Sequence, residues 1–347
     1  MKSSYKPISD IVERVDIRNS DGNADILMGL SIDKCFIRSV ANTVGTDLKK
    51  YKVIRRNQFA VSLMQVSRDS KIPVACFREC DRAIMSPAYS IFQVADESVV
   101  LPDYLDMWFK RAEFDREAAF IAVGGVRGSM PWEEFARIKV RVPTIDEQRS
   151  IVKAYQTITE RIELKRRIND NLEAQVNAFY KKLTQENEPN DIFSSICSVE
   201  SGKRPVSSNA GDFPLLGAGG IMSYIDNYNF DEPILVTGRV GTHGVIQKIH
   251  TKCWASDNTL VIKSRFYEFA YHFLKSVDWS LLNRGSTQPL VTQTDIKNLP
   301  IYLPTESELT EFEQMAEKYM ALFDLHKAEI EKLIATQSNI VTSLSRN

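Results

Sequence analysis

The sequence predicts an α+β protein assembled from two copies of one plan, a mixed, turn-punctuated globular segment followed by a long helix. Three observations predict it. A short strand pattern ending in Pro-Thr occurs twice, a helix-start signature follows each copy, and a long amphipathic stretch without Gly or Pro runs on from each start.

The strand copies align without a gap. Phe135 to Thr144 reads Phe-Ala-Arg-Ile-Lys-Val-Arg-Val-Pro-Thr, and Ile296 to Thr305 reads Ile-Lys-Asn-Leu-Pro-Ile-Tyr-Leu-Pro-Thr. Apolar residues alternate in both, the period of a strand. Glu147 and Glu308 fall three residues after Thr144 and Thr305. That spacing is a capping box, in which side chain and backbone satisfy two orphan donors reciprocally.

The helix after the first cap carries Ile151, Tyr155, Ile158, Ile162, Leu172, Val176, Phe179 and Leu183 at helical steps, interrupted by Lys165 and Asn169. The second carries Phe312, Met315, Tyr319, Leu322, His326, Ile330, Leu333, Ile340 and Leu344. About 39 residues at 1.5 Å each make a rod of roughly 58 Å. A narrow apolar stripe of that length needs a partner, and the other copy supplies one. Lys165 and Asn169 either set the register of that seam or mark where the rods splay.

The globular segments differ in kind from the rods. Short apolar runs such as Gln58–Leu63 and Pro233–Val236 alternate with Gly, Asn, Asp and Ser clusters, which suits a compact mixed domain. Each also holds a helix-like stretch, Tyr104–Phe114 and Tyr267–Val277, and each carries Arg-Gly-Ser before its strand, at Arg127-Gly128-Ser129 and Arg284-Gly285-Ser286. The expected domains are residues 1–143, a helix over 144–184, a second globular domain over 185–304 opened by the polar linker Gln185–Asp191, and a helix over 305–347.

Composition narrows the class. Of 347 residues, 43% are hydrophobic and 26% charged, which excludes wholesale disorder. No apolar run approaches the ~20 residues that span a bilayer, and the polar Met1–Asp10 has no signal-peptide core, so a cytoplasmic protein without membrane contact is expected. Five scattered cysteines do not make a disulfide framework, and Cys76 and Cys80 lack the second pair of a zinc site. A net charge of −1 leaves any nucleic-acid binding to local patches.

The order of strand, Val142-Pro143 or Leu303-Pro304 stop, Thr-x-x-Glu start and long helix, twice over, resembles the specificity subunits of type I restriction–modification systems across essentially the whole chain. Gly285-Ser286-Thr287-Gln288-Pro289 leading to Asp295-Ile296-Lys297 is similar to that family, as is Thr237-Gly238-Arg239-Val240-Gly241-Thr242-His243-Gly244. In the first half Arg127-Gly128-Ser129-Met130-Pro131 lacks the Thr-Gln pair, a departure from the pattern. The resemblance implies two target-recognition domains reading a bipartite site on double-stranded DNA. It implies helices joined as an antiparallel coiled coil that sets the spacing, giving an internal pseudo-two-fold repeat. It also implies docking of two methyltransferase subunits and, through them, restriction subunits.

On that reading phosphates are neutralised by cations and bases are read by side chains reaching their edges. The first half offers Lys49, Lys50, Lys52, Arg55 and Arg56, then Arg68, Lys71, Arg127 and Ser129. The second offers Lys203, Arg204, Arg239, Thr242, His243, Arg284, Ser286, Thr287 and Gln288, with Asn283 and Gln288 suited to adenine. A lone Lys-Lys or Arg-Arg pair is more often a solvated face than a phosphate clamp, and Gly238 and Gly241 alternatively make a simple hairpin turn.

Catalytic signatures are missing. There is no Gly-x-x-x-x-Gly-Lys-Ser/Thr loop, no Asn-Pro-Pro-aromatic tetrapeptide and no nucleophile elbow. Leu216-Gly217-Ala218-Gly219-Gly220 lacks the context of a dinucleotide site, and Asp231-Glu232 lacks a nuclease lysine. A non-catalytic subunit with no cofactor and no metal is therefore expected. The competing reading is a coiled-coil interaction scaffold that never meets DNA.

Overall fold

The computed structural model describes residues 4–39, 45–64, 66–122, 128–185, 187–205, 210–240, 244–282 and 290–344. The chain divides into two compact units, residues 1–164 with 329–347 (unit 1) and residues 165–328 (unit 2). Both long helices cross that division, so each unit holds a part of each.

Unit 1 contains strands β1 (Ser4–Pro7), β2 (Val12–Val15), β3 (Met28–Leu30), β4 (Phe36–Arg38), β5 (Lys52–Arg55), β6 (Phe59–Val61), β7 (Val74–Cys76), β8 (Arg82–Met85), β9 (Ser90–Val94) and β10 (Lys139–Val142). Its helices are α1 (Val66–Asp69), α2 (Pro102–Phe109), α3 (Ala112–Ile121), α4 (Trp132–Arg137) and the start of α5 (Ile145–Thr184). The central sheet runs β2-β9-β6-β7 with every pair antiparallel, and β1 pairs with β10. Its core is aromatic: Phe59, Phe92, Phe109, Phe114 and Phe135 are fully buried, with Phe59 stacked on Phe92 at 5.1 Å between ring centres. Val152 of α5 and Leu344, just past the end of α8 (Glu306–Ser343), close that core.

Unit 2 contains β11 (Asp191–Ile192), β12 (Cys197–Ser201), β13 (Phe213–Gly217), β14 (Gly220–Ile225), β15 (Ile234–Gly238), β16 (Gln247–Ile249), β17 (Trp254–Ala255), β18 (Thr259–Ser264) and β19 (Pro300–Ile301). Its helices are α6 (Tyr267–Ser276) and α7 (Gln293–Lys297), the end of α5, and most of α8 (Glu306–Ser343). The central sheet runs β12-β18-β15-β16, again all antiparallel, and β11 pairs with β19. The two units thus repeat one topology. In each, a short closing pair joins the segment's first and last strands. In each, the strand before the main helix pairs with the strand that follows the closing pair.

Local sequence explains the caps, with one departure. At α8 the box is reciprocal: Thr305 N–H donates to Glu308 Oε2 at 2.9 Å and Glu308 N–H to Thr305 Oγ1 at 3.4 Å. At α5 Glu147 N–H donates to Thr144 Oγ1, but the Glu147 carboxylate turns to Arg141 Nη2 at 3.0 Å. Arg141 is buried and also donates to the Leu344 carbonyl at 3.2 Å, placing a cation at the C-terminal end of α8 where the helix dipole favours it.

Three sequence expectations differ from the structure. Both strand patterns begin in a helix: residues 135–137 belong to α4, where the adjacent Phe135 and Ala136 are both buried as a strand would not allow, and Ile296 and Lys297 end α7, leaving only Pro300–Ile301 as strand. The Tyr104–Phe114 stretch breaks at Arg111, which is extended (φ −71°, ψ 137°) with its guanidinium over the Trp108 ring at 4.1 Å. Phe179 and Leu322, expected in the seam, are exposed.

The helices run antiparallel in each unit. In unit 1 Gln337 donates to Thr159 Oγ1 at 2.6 Å, and Arg161 is paired with Glu329. In unit 2 Asn169 is buried, its Oδ1 2.9 Å from His326 Nδ1 and its amide donating to the Phe323 carbonyl at 3.2 Å. Such a pairing has one register at which both bonds form, so Asn169 fixes register there. The unit 2 globular part is fastened to α8 by Glu313, whose buried carboxylate accepts the Glu268 and Phe269 amides at the start of α6 at 2.6 and 3.2 Å.

Candidate nucleic-acid interface

In unit 2 sheet register brings separate cations to one edge. Ser201 pairs with Leu260, and Gly238 pairs with Thr259. The next residues out, Gly202-Lys203 on one side and Arg239 on the other, therefore flank the turn that enters β18. Gly202 N–H donates to Thr259 O at 3.1 Å, Lys203 N–H to Ala255 O at 2.9 Å, and Arg239 N–H to Asn258 O at 2.9 Å. The turn itself is tied by Thr259, whose amide and hydroxyl both donate to the Ser256 carbonyl, at 3.0 and 2.6 Å.

Two features hold this edge in place. A Cβ on Gly202 would lie 2.1 Å from the Ser256 carbonyl oxygen, so only glycine permits the strand to pass there. Trp254 Nε1–H donates to the Lys203 carbonyl at 2.7 Å, fixing the backbone from which Lys203 and Arg204 project. Lys203, Arg204 and Arg239 are exposed, and none has an ion-pair partner among the described residues. Asp257 is the acidic residue of the turn. Three unneutralised cations around one rigid turn make a surface suited to phosphate oxygens. The segment after Arg239 is joined to the residues that follow the second Arg-Gly-Ser, with Val291 N–H donating to Arg239 O at 3.0 Å and Val240 bridging to Leu290. Thr242, His243, Arg284, Ser286, Thr287 and Gln288 lie outside the described residues.

Unit 1 repeats the backbone arrangement with different charges. Met130 N–H donates to Leu63 O at 2.8 Å, the counterpart of the Val291–Arg239 bond. Gly128 (φ +72°) rests on α1, where a Cβ would meet Ser67 Oγ at 2.5 Å. Arg68 and Ser129 are thereby brought to one place, while Arg127 lies outside the described residues. Arg68 pairs with its neighbour Asp69 at 2.8 Å, and Lys71 with Asp33 at 3.2 Å.

The expected basic stretch of unit 1 is not one surface. Lys52 is buried, donates to the Tyr89 carbonyl at 2.9 Å and lies 3.8 Å from Asp16. Burial pushes its ammonium below the usual lysine range. A lysine so engaged is a core residue and is withdrawn as a phosphate ligand. Arg56 is paired with Asp81 at 3.1 Å and donates to the Arg78 carbonyl at 3.0 Å. Arg55 is exposed, but it and Arg56 precede β6 and sit at the end of that strand opposite Leu63. Sequence proximity grouped them with Arg68, whereas the strand between them carries them apart.

The supporting residues of the unit 2 edge, Gly202, Trp254, Ser256 and Asn258, were not singled out from sequence. The run Ser256-Asp257-Asn258 reads as a turn, but only sheet register places it between Lys203 and Arg239. Among the described residues no group of three or more His, Cys, Asp or Glu is placed to hold a metal ion, and no helix is long and apolar enough to cross a membrane.

Comparison with known proteins gives concordant matches. Residues 191–335 match the family described as the type I restriction modification DNA specificity domain. A Haemophilus influenzae protein named as a type I restriction enzyme specificity subunit is 25% identical over 158 residues, taking in 42% of this chain and 40% of that protein. The crystal structure of a type I restriction–modification system S subunit from M. genitalium shares the fold over 100% of this chain and 97% of its own, with a TM-score of 0.67 at 12% identity. A chain from a structure on assembly and conformational transition of a type I system matches over 99% and 97%, with a TM-score of 0.51 at 14% identity.

Proposed function

We infer that this chain is a type I restriction–modification specificity subunit, its second half carrying that family's DNA specificity domain, and that it reads two unlike half-sites on double-stranded DNA. The observation that carries this reading is the repeat: one antiparallel sheet topology made twice, with a loop-bearing edge in each copy. Residues 1–143 and 185–304 act as the target-recognition domains, and 144–184 with 305–347 as the helices that space them. Because the two edges differ in charge and sequence, the half-sites they read differ too. Lys203, Arg204 and Arg239 contribute phosphate contacts, which fix orientation without carrying sequence information. The subunit itself does no chemistry. Methyltransferase subunits dock on the paired helices and bring restriction subunits with them, a cytoplasmic assembly acting on the host's DNA.

The test is methylation mapping of a genome in cells expressing the partner methyltransferase, with and without this chain. A split methylated motif that appears only with the chain is the expected result. An active methyltransferase whose motif does not depend on the chain would favour the scaffold reading instead. Duplex binding by the assembled complex separates the two independently, since phosphate contacts release counterions and make affinity fall steeply with salt.

A further inference from the structure

We propose that the β13–β14 hairpin of unit 2 enters the major groove as an apolar two-stranded finger, with Ile221 and Met222 set against thymine methyl groups. This rests on the DNA-reading role above and adds a base-reading element to it.

The hairpin tip belongs to the cationic edge. β13 runs parallel to β17, pairing Leu215 with Trp254 and Leu216 with Ala255, and Ser256 N–H donates to the Leu216 carbonyl at 3.1 Å. Gln247 Nε2 donates to the Gly217 carbonyl at 2.9 Å, from a residue paired with Val236 near the same end of the sheet. The tip, Gly217 to Gly220, therefore emerges beside the Ser256–Asn258 turn that Lys203 and Arg239 flank. The glycine-rich string that resembled a weak nucleotide loop is this tip.

Its surface has the character of a base-reading element. From Phe213 to Ile225 there is no charged residue. Ile221, Met222 and Tyr224 are 55%, 66% and 54% exposed on a strand open on both faces, and the pairing with β13 shifts at Leu215/Leu216 and leaves Met222 as the extra residue of a bulge. Bulges re-aim side chains in this way. Met222 lies across Gly217, where a Cβ would meet its Sδ at 2.6 Å, so that glycine is what lets the thioether fold over the tip. Among the described residues, Cβ atoms on Gly219 and Gly220 would meet nothing within 4 Å, and β14 is the outer strand of its sheet, so the finger stands clear of them. A major groove about 12 Å wide admits a two-stranded ribbon, and apolar side chains there meet the thymine 5-methyl.

Unit 1 uses its counterpart differently. The β3–β4 hairpin lies beside β8 through a parallel Leu27–Ile84 bridge, but Lys34 at its tip is buried, bound to Asp115 at 2.8 Å and to the Phe109 carbonyl. That tip is pinned to α2 and α3, so the thymine-reading effect is confined to one half-site.

The experiment uses the full chain assembled with its methyltransferase and a randomised duplex library, synthesised once with thymine and once with uracil in its place. The wild-type complex is expected to select a split motif. The Ile221→Ser/Met222→Ser complex should lose preference for thymine in one half-site and leave the other unchanged. Uracil should weaken wild-type selection at the same positions by about four-fold per lost methyl and add nothing to the variant's loss. A variant that selects the wild-type motif overturns the proposal, as does one that fails to assemble with the methyltransferase, which would make the finger a protein-docking element. A wild-type complex that selects no motif overturns the DNA-reading role itself, and the finger with it.

Discussion

His272 on α6 makes the stability of unit 2 depend on pH in a direction the structure specifies. Its ring is buried, stacked on Tyr180 with centres 5.7 Å apart and close to Phe312, and its Nδ1 lies 2.9 Å from Asn177 Oδ1. That oxygen only accepts, so Nδ1 carries the proton of the neutral ring and Nε2 is left buried without a partner among the described residues. Protonating Nε2 would place a cation in an apolar site near Lys248 and Lys275, and burial, then those two charges, push the imidazole pKa down from 6.5 to about 4. The unfolded chain therefore binds the proton at higher pH than the folded one. The contribution is complete above pH 6.5 and is lost as pH falls toward 4, up to roughly 3 kcal/mol at 1.36 kcal/mol per unit. His272→Phe keeps a ring and removes the titration. It forfeits the bond to Asn177, whose exposed amide then turns to water, at about 1 kcal/mol. The variant should be the less stable form at pH 8, equal wild type near pH 6 on these same estimates, and exceed it below. Glu313, raised to about 7 chiefly by burial, acts oppositely, losing stability as pH rises from 4.5 to 7. The difference between wild type and variant isolates the histidine. Hydrogen exchange of the α6 amides measures the free energies, and a carbon-13 titration of the four histidine rings measures the pKa directly. A His272 resonance with a midpoint at or above 6, or a wild-type-to-variant difference constant with pH, would refute the reasoning.

Gly202→Ala must displace the Ser256 turn and is expected to destabilise unit 2 by about 1–3 kcal/mol, read by the same exchange experiment, with weaker duplex binding by the complex. Arg239→Ala should weaken binding to all duplexes alike and reduce the slope of log affinity against log salt by about 0.9, whereas Lys52→Ala should lower unit 1 stability and leave that slope unchanged. Among the cysteines, burial holds the Cys76 and Cys197 thiols at about 12 and Cys253 at about 11, while Cys35 is exposed. Alkylation at pH 8 followed by peptide mass spectrometry should label Cys35 first, and early labelling of Cys253 would contradict the buried placement.

What the sequence determined by itself is local. The Pro-Thr stops, the Thr-x-x-Glu starts and the long stripes without Gly or Pro depend on contacts a few residues apart, so where the two long helices start and run was legible. The repeat was legible for the same reason, since each copy carries its own punctuation. Tertiary structure decided which charges are available. Lys52 and Lys203 are the same side chain, yet one lies under Tyr89 and Asp16 and the other stands at an open edge. Sheet register made that choice, through partners as distant in sequence as Gly202 with Thr259 and Arg239 with Asn258. Burial and ion pairing are properties of those long-range neighbours. Sequence spacing therefore named the cations, and only folding decided which were left for a ligand and which were spent inside the protein.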